Sequence, residues 1–393
     1  MRILFVCSTE FQLLNALNIK YNMFSECPAD IVLQRPEYER FYSRLKRINL
    51  FTHVCYAKTE RIGLHQYFRD ITNIGHCEVN ILQAIANTLL DFFHCVLGRI
   101  HGPRYRLHKL LYGYEYIKKL KYDKVFMQSG NVIVRNFYEL LNEKAEMIIL
   151  DEGVGSYIND TICHGNTRAD AAYLYDTNMA LYKDGKIDLI KIPCLSECDD
   201  KFVSIVNRVF EYKQEKKEYE NKFIFFDQGG ELMPAYLRNP GFIKRIIFAN
   251  PIKKHRREYD RYCRQIELFK KIADHKKSYI KFHPRTPGSM LDEYDSDIFI
   301  SIEPKKIPWE VFACNSHFRD CMFFTLFSSS VCLYPFTIGG DDKCILLCKY
   351  VDDNMDEKLR LFIDRLKERY MKNVVVIEGE EQLASIMREG RHS

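Results

Sequence analysis

Four short polar segments carry side chains that could do chemistry, and each directly follows an apolar run. They supply adjacent carboxylates, a carboxylate loop with glycines, an imidazole beside a guanidinium, and a cluster of hydroxyls. The segments are Asp151-Glu152-Gly153 after 147–150, Asp227-Gln228-Gly229-Gly230-Glu231 after 222–226, His283-Pro284-Arg285 after 279–282, and Ser328-Ser329-Ser330 after 323–327. A carboxylate can take a proton from a hydroxyl nucleophile. A guanidinium, or the N–H and hydroxyl groups at a helix start, can hold a phosphate.

Each segment also has a structural interpretation. Asp followed by Gly is ordinary turn chemistry, and a serine run often caps a helix. A loop histidine is usually satisfied by its surroundings. Pro284 favours a functional role for His283, because proline fixes the backbone and so holds the imidazole in a set direction.

The chain lacks the glycine-rich phosphate loops of dehydrogenases, kinases and ATPases. No G-x-G-x-x-G follows the first strand, and the Gly-Gly pairs at 229–230 and 339–340 lack the Lys and Ser/Thr of a Walker loop. No Asp-x-Asp pair stands out at a predicted strand end, and no Cys/His set has zinc spacing. Together the segments favour group transfer from a phosphate-linked donor, and we expect neither a metal nor another cofactor.

Apolar runs that alternate with amphipathic segments must position these groups, and the alternation is typical of α/β units. The first series predicts strands at 2–7, 29–33, 53–56, 124–128 and 147–150, with helices at 10–22, 37–48 and 132–141. The second predicts strands at 222–226, 279–282, 298–301, 323–327, 344–348 and 373–377, with helices at 256–275, 309–314, 357–370 and 380–388. Two such series predict two parallel sheets with ligands at the carboxyl ends of the strands.

A chain of 393 residues exceeds what one hydrophobic core usually supports, which favours two domains. A charged, interrupted stretch at 195–220 places the boundary near residue 221, giving domains 1–221 and 222–393. Residues 64–120 show a long helical pattern, which predicts a helical insertion in the first domain.

Charge and cysteine content set broad limits on partners and compartment. A net charge of +5 suits an anionic small molecule or a membrane surface as well as nucleic acid. The 14 cysteines have no regular spacing, which favours reduced thiols in a cytoplasmic protein. The start of the chain has too few apolar residues for a signal or a membrane span, and the apolar run 81–100 is interrupted by Asp91, His94 and Arg99. Peripheral contact with the inner face of the cell membrane is a further expectation.

The ordered motifs resemble those of a bacterial enzyme family. The stretch CSTEFQLLNAL at 7–17 is similar to the TPFQLL-x-A opening of lipooligosaccharide sialyltransferases, glycosyltransferase family 52. The DEG at 151–153, the HP at 283–284 and the SSS at 328–330 match the family's acidic-acidic-Gly, His-Pro and Ser/Thr-Ser motifs in order and spacing. Related motifs occur in bacterial polysialyltransferases, and the resemblance covers most of the chain.

The resemblance implies a GT-B fold, in which two Rossmann-like domains face each other across a cleft. It implies an inverting, metal-independent transfer of sialic acid from CMP-sialic acid to a sugar hydroxyl, such as that of galactose, on lipooligosaccharide or capsule. By this analogy His283 bonds the CMP phosphate and acts as general acid or leaving-group stabiliser. The residues implied to bind the donor are Pro284, Arg285, Ser328, Ser329 and Ser330. The carboxylates implied to act as base or to bind the acceptor are Asp151, Glu152, Asp227 and Glu231. The residues implied to contact the acceptor are Ser8, Thr9, Glu10 and Gln12.

Three departures from the family pattern leave alternatives open. Glu10 stands where the family has proline, a change that concerns the acceptor side. Gly229-Gly230 stand where proline is usual, so the identity of the base is undecided. The insertion at 64–120 is longer than the family implies and could form a homodimer contact or a membrane-facing surface. The competing functions are a GT-B transferase for CMP-Kdo or a UDP-hexose, and a non-catalytic glycan-binding protein. We expect a nucleotide sugar and a glycan as partners, and no nucleic acid.

Overall fold

The structure, a computed structural model, describes most of the chain outside the predicted insertion. The described residues are 1–58, 85–86, 89, 102–119, 121–128, 131–163, 167–182, 186–213, 215–229, 249–274, 276–284, 286, 292–351 and 355–392. Most of the segment 64–120 therefore lies outside the described residues. Of its described part, residues 102–110 are helical and are followed by a two-residue strand.

The strands are short and mostly apolar. They are β1 (Ile3–Cys7), β2 (Ala29–Leu33), β3 (His53–Ala57), β4 (Leu111–Tyr112), β5 (Lys124–Met127), β6 (Glu146–Leu150), β7 (Thr161–Cys163), β8 (Thr167–Arg168), β9 (Ala171–Leu174), β10 (Asp188–Lys191), β11 (Lys217–Glu220), β12 (Phe223–Phe226), β13 (Ser278–Lys281), β14 (Phe299–Ser301), β15 (Ser316–Arg319), β16 (Met322–Thr325), β17 (Lys343–Leu346) and β18 (Val374–Val376).

Helices connect most of these strands. They are α1 (Glu10–Asn22), α2 (Glu39–Ile48), α3 (Tyr114–Ile117), α4 (Val132–Leu141), α5 (Gly155–Ile158), α6 (Asp200–Phe210), α7 (Ala249–Ala273), α8 (Trp309–Cys314), α9 (Ser329–Thr337), α10 (Cys348–Val351), α11 (Glu357–Arg369) and α12 (Glu380–His392), with 3₁₀ turns at Pro36–Tyr38, Thr177–Met179 and Leu195–Glu197. No helix among the described residues has the length and apolar character needed to cross a membrane.

The first sheet contains eight strands within the described residues, in the order β10-β9-β6-β5-β1-β2-β3-β4. All neighbours are parallel except β3 and β4. From β1 the chain adds β2 and β3 on one side, then returns to add β5, β6, β9 and β10 on the other. The order reverses between β1 and β5, and ligands of such sheets bind at this switch point, beyond the carboxyl ends of the strands.

The second sheet is smaller, and its strand order also reverses at one point. Its described strands are all parallel, in the order β14-β13-β12-β16-β17-β18, and the order reverses between β12 and β16. Alternate residues of β12 face different layers: Ile224 and Phe226 join one core cluster, and Phe225 joins the other. A strand covered on both faces reads as a continuous apolar run, which is why these strands were predictable.

Side-chain contacts of helices α6 and α11 join the two sheet units. Helix α11 packs on the first unit through Arg365, whose Nη1 donates to Ala180 O at 2.6 Å. Arg369, at the end of the same helix, pairs with Asp176 of the first unit. Asn207 and Asn315 exchange two amide hydrogen bonds of 2.8 Å between α6 and the end of α8.

The carboxyl edges of the two sheets come into contact. Gly153 follows β6 and Ser329 follows β16, and a Cβ on Gly153 would lie 2.9 Å from Ser329 Oγ. Two Rossmann-like units that meet through these edges have the GT-B arrangement, so the predicted fold class is confirmed.

The structure contains elements that the sequence did not predict, and two of these differences concern the first unit. Residues 200–210, predicted as part of a charged boundary, form helix α6, which buries Phe202, Val206 and Val209. The strands β9 and β10 extend the first sheet beyond β6 and were not predicted. The predicted boundary near 221 stays a prediction, although the large sheets draw their strands from either side of it.

Candidate active site

The turn from β1 into α1 is built around the switch point of the first sheet. Thr9 is the N-cap of α1, and its Oγ1 accepts from Gln12 N at 3.1 Å. Ser8 is nearly buried and donates from both its N–H and its hydroxyl to Gln12 Oε1. Glu10 begins the helix and pairs with Arg40. The predicted acceptor residues therefore shape this turn, and their contact with an acceptor stays a prediction.

Asp151 is withdrawn from solvent and binds its own loop. Its side chain is fully buried, and it accepts from Gly153 N at 2.9 Å and from Tyr157 OH at 2.6 Å. Burial raises its pKa to about 7, against the effect of these hydrogen bonds. Asn15 Nδ2 donates to its carbonyl oxygen at 2.8 Å, which anchors the main chain. Asp151 is thus placed to hold the loop, not to meet a substrate.

Glu152 is the carboxylate that this loop presents at the sheet edge. It is only partly buried, and its Oε2 lies 3.4 Å from Gln12 Nε2. Its backbone N–H donates to Ser156 Oγ at 2.8 Å, and Ser156 donates to Gln128 Oε1 at 2.7 Å. Burial raises the pKa of Glu152 to about 7. A base whose pKa lies near the working pH is well suited to proton transfer.

Asp227 performs a comparable holding role at the end of β12. The side chain is 4% exposed, and Gln265 Nε2 donates to its Oδ1 at 2.8 Å. Its Oδ2 accepts from His283 N at 3.3 Å and from the hydroxyl of Thr286. Tyr294 OH adds a further hydrogen bond at 3.3 Å. Asp227 therefore fixes the His-Pro turn to the adjacent strand end.

His283 lies at the end of β13, against the loop that follows β12. Gly229 has φ of +72°, and a Cβ there would lie 3.0 Å from His283 Nδ1, so the glycine gives the imidazole its space. Thr286 N donates to His283 O at 2.9 Å and closes the turn around Pro284, which is exposed. The imidazole itself is partly buried.

The three serines begin α9 at the switch point of the second sheet. Ser328 occupies the N-cap position, and its side chain does not cap the helix. Ser329 packs on Gly153 and its Oγ lies 3.4 Å from Val154 N, across the two units. Ser330 hydrogen-bonds the carboxylate of Glu310. A helix start lined by hydroxyls and N–H groups favours an anion at this position.

Two charged groups near this edge were not predicted. Glu310 on α8 is 6% exposed, and burial raises its pKa. Lys281, on β13 two residues before His283, donates from Nζ to Pro304 O at 2.9 Å. Burial lowers the pKa of Lys281 to about 8, and the charges that act against this effect include Glu310 and, from the first unit, Glu10. In the sequence, only the charged Lys281 at the end of an otherwise apolar strand pointed to one of these two groups.

Two predicted site residues cannot be placed. Glu231 and Arg285 lie outside the described residues. In the described part of the chain, no group of three or more His, Cys, Asp or Glu side chains is arranged to hold a metal ion. Independence from metal ions stays a prediction.

Comparisons with known proteins give distant likenesses. No protein-family model matches the chain, and no curated protein matches its sequence. A glycosyltransferase from Rickettsia africae is 10% identical with a TM-score of 0.34, covering 100% of this chain and 92% of that chain. UGT2 of Phytolacca americana, complexed with UDP-2fluoro-glucose and pterostilbene, is 10% identical with a TM-score of 0.37, covering 98% and 88%. Likenesses this distant assign no activity, so the resemblance to lipooligosaccharide sialyltransferases rests on the short motifs.

Proposed function

We propose that the protein is an inverting sialyltransferase that moves sialic acid from CMP-sialic acid to a sugar hydroxyl of a bacterial surface glycan, without a metal ion. One observation carries the proposal. Ser329 packs on Gly153, so the serines predicted to hold the donor phosphate adjoin the loop that presents Glu152. This contact supports a site in which charge-stabilising groups and a base meet at the carboxyl edges of the two sheets.

The donor side consists of His283 and the three serines. They follow β13 and β16, the two neighbours of β12, so their strand ends stand roughly 10 Å apart. A phosphate above the end of β12 would lie between the imidazole and the start of α9. Both can donate hydrogen bonds to it, and charged acceptors make such bonds stronger.

The proposed reaction is a single displacement. The acceptor oxygen forms a bond to the anomeric carbon while the bond from that carbon to the phosphate oxygen of CMP breaks. The proton of the acceptor hydroxyl passes to Glu152, and the departing phosphate takes the negative charge. His283 and the serines stabilise that charge, and such preorganised groups are usually the largest contribution to catalysis.

Glu152 is the preferred base among the described carboxylates. Asp151 and Asp227 are 0% and 4% exposed, and their oxygens accept hydrogen bonds that hold the two loops. The side chain of Glu152 is partly exposed, and its carboxylate accepts a hydrogen bond from Gln12 Nε2. Glu231 lies outside the described residues and stays a candidate from the sequence.

The choice of donor is supported by the motifs. The acidic-acidic-Gly, His-Pro and serine segments match the sialyltransferase pattern in order, and the geometry of the loops suits any nucleotide-linked sugar. CMP-Kdo and a UDP-hexose are the competing donors. Peripheral association with a membrane, homodimer formation and binding of a glycan acceptor are part of the proposal for the full protein.

The test is incubation with a panel of nucleotide sugars, with and without galactose-terminated acceptors, scored by the nucleotide released. We expect CMP release from CMP-sialic acid, increased by acceptor and retained in EDTA. CMP release from CMP-Kdo, or UDP release from a UDP-hexose, would show that this nucleotide sugar is the donor in place of CMP-sialic acid. Absence of both release and donor binding would favour a glycan-binding protein.

A further inference from the structure

Helix α1 carries three amides at a spacing of three residues, and all are fully buried: Gln12, Asn15 and Asn18. Gln12 and Asn15 contact the loop of the proposed base, through the Glu152 carboxylate and the Asp151 carbonyl respectively. Asn18 Nδ2 instead donates to Pro193 O at 2.9 Å. The helix thus offers two amides that hold this loop and one similar amide that does not.

The orientation of the Gln12 amide follows from an unambiguous donor. The backbone N–H of Ser8 lies 2.6 Å from Gln12 Oε1. Because a backbone N–H can only donate, the amide oxygen must face Ser8 and the two N–H groups must face the other way. There Nε2 lies 3.1 Å from Gln128 O and 3.4 Å from Glu152 Oε2. One amide therefore joins the ends of β1, β5 and β6.

We propose that Gln12 is a positioning residue that aims the Glu152 carboxylate at the acceptor and favours its ionised form. The inference rests on the proposed function, in which Glu152 is the base. A hydrogen bond donated to a carboxylate stabilises the ionised form and lowers the pKa, whereas burial raises it. Gln12 thus offsets part of the effect of burial and keeps the base ionised at a lower pH.

The other groups around the loop cannot take this role. The titratable groups that face it are Asp151 of the loop itself, Tyr157 on α5, Tyr175 after β9, and Tyr182. An ionised Asp151 would oppose the charge of Glu152. The hydroxyls of the three tyrosines donate elsewhere: Tyr157 to Asp151 Oδ2, Tyr175 to Asn15 Oδ1 and Tyr182 to Ser156 O. A neutral amide donor is therefore the suitable stabiliser.

The experiment is a titration of Glu152 by carboxyl ¹³C NMR in the full chain, with Glu152→Gln to assign the signal. Gln12→Met removes both amide donors at similar volume, and we expect the pKa of Glu152 to rise by about 0.5–1 pH unit. The acid limb of the kcat profile should move by the same amount, while KM for the donor stays within about twofold. Gln12→Glu keeps the shape and adds a carboxylate, so the shift should exceed about 1 pH unit.

The matched control is Asn18→Leu, which removes a buried amide of the same helix. It should leave the titration of Glu152 within about 0.2 pH unit. If Gln12→Met does not fold, Gln12→Glu carries the test, and failure of both to fold would make Gln12 a folding residue and overturn the proposal. An unmoved titration in the Gln12 variants, or an equal shift in Asn18→Leu, would also overturn it. A shifted titration in a protein that turns over no nucleotide sugar would instead refute the proposed function alone.

Discussion

Two aspartates at the edges of the two sheets are held in similar ways, but the residues beside them differ. Asp151 accepts hydrogen bonds within its own loop, including one from Tyr157. Asp227 ties the main chain of His283 to Gln265 of α7. Both aspartates are almost withdrawn from solvent, so each organises a loop.

The loops that these two aspartates hold carry different functional side chains. The loop of Asp151 presents a carboxylate, Glu152, whereas the turn held by Asp227 presents the imidazole of His283. The serines of α9 follow β16, on the other side of β12 from that turn, and Ser329 reaches the first unit at Gly153. On the proposed function, the first edge accepts a proton and the second stabilises negative charge, and the following changes test that division.

Glu152→Gln should have the largest effect on turnover. It removes the proposed base with little change in shape, and loss of general base catalysis typically costs roughly 10²–10⁴ in kcat. The measurement is CMP release from CMP-sialic acid in the presence of acceptor. Asp151→Asn is the comparison within the same loop, and it should cost far less in kcat. Equal losses in the two variants would contradict the division of roles between them.

His283→Ala should come next. It removes a group proposed to stabilise the leaving phosphate, and removal of one such preorganised donor typically costs roughly 10²–10³ in kcat. His317→Ala, a change at an exposed histidine of β15, is the matched control and should turn over normally. Wild-type turnover by a folded His283→Ala variant would remove the imidazole from the mechanism.

Gly153→Ala should have an intermediate effect, because it presses the two edges apart. Gly153 has φ of +125°, and a Cβ would lie 2.9 Å from Ser329 Oγ and 3.1 Å from Ser329 Cβ. Displacement of the base loop should lower kcat by roughly 10- to 100-fold. Gly339→Ala is the control, since Gly339 also has positive φ, +80°, but nothing lies within 4 Å of an added Cβ. A loss of the same size in the control would assign the effect to backbone strain.

The fold was largely predictable because its strands are continuous apolar runs. The ILFVC of β1 and the FIFF of β12 lie in strands covered on both faces, and such runs rarely fit another element. Helix α6 was missed because its acidic start, Asp199 and Asp200, resembles a linker. In the structure Asp199 is the N-cap, accepting from Phe202 N at 2.7 Å.

The sequence predicted which loops form the candidate site, but not the role of each side chain within them. Polar residues directly after apolar strands mark the edge where ligands bind, and this located the loops of Glu152, His283 and Ser329. The sequence could not show which of two adjacent carboxylates points inward, because burial of Asp151 depends on Tyr157 and on strands packed around it. The role of Gln12 was hidden for the same reason, since its partner Gln128 lies far away in the chain.

The smallest expected effect is a dependence of stability on pH. Burial raises the pKa of Asp151 and of Glu152 to about 7, above the ordinary values of 3.8 and 4.5. The folded chain therefore binds these protons more tightly than the unfolded chain, and their contribution to stability is lost as pH rises from about 4 to 7. We expect Tm to fall by roughly 2–4 °C over this window, and Asp151→Asn to flatten the slope. A steeper slope in Asp151→Asn would contradict this origin.

On the proposed function, one leaving phosphate lies between the imidazole of the second unit and the serines of α9, facing Glu152 of the first unit. A crystal structure of the protein with bound CMP tests this most directly. We expect the phosphate within hydrogen-bond distance of His283 and of at least one of Ser328 and Ser329. A CMP phosphate bound elsewhere, with His283 and the serines out of its reach, would contradict it.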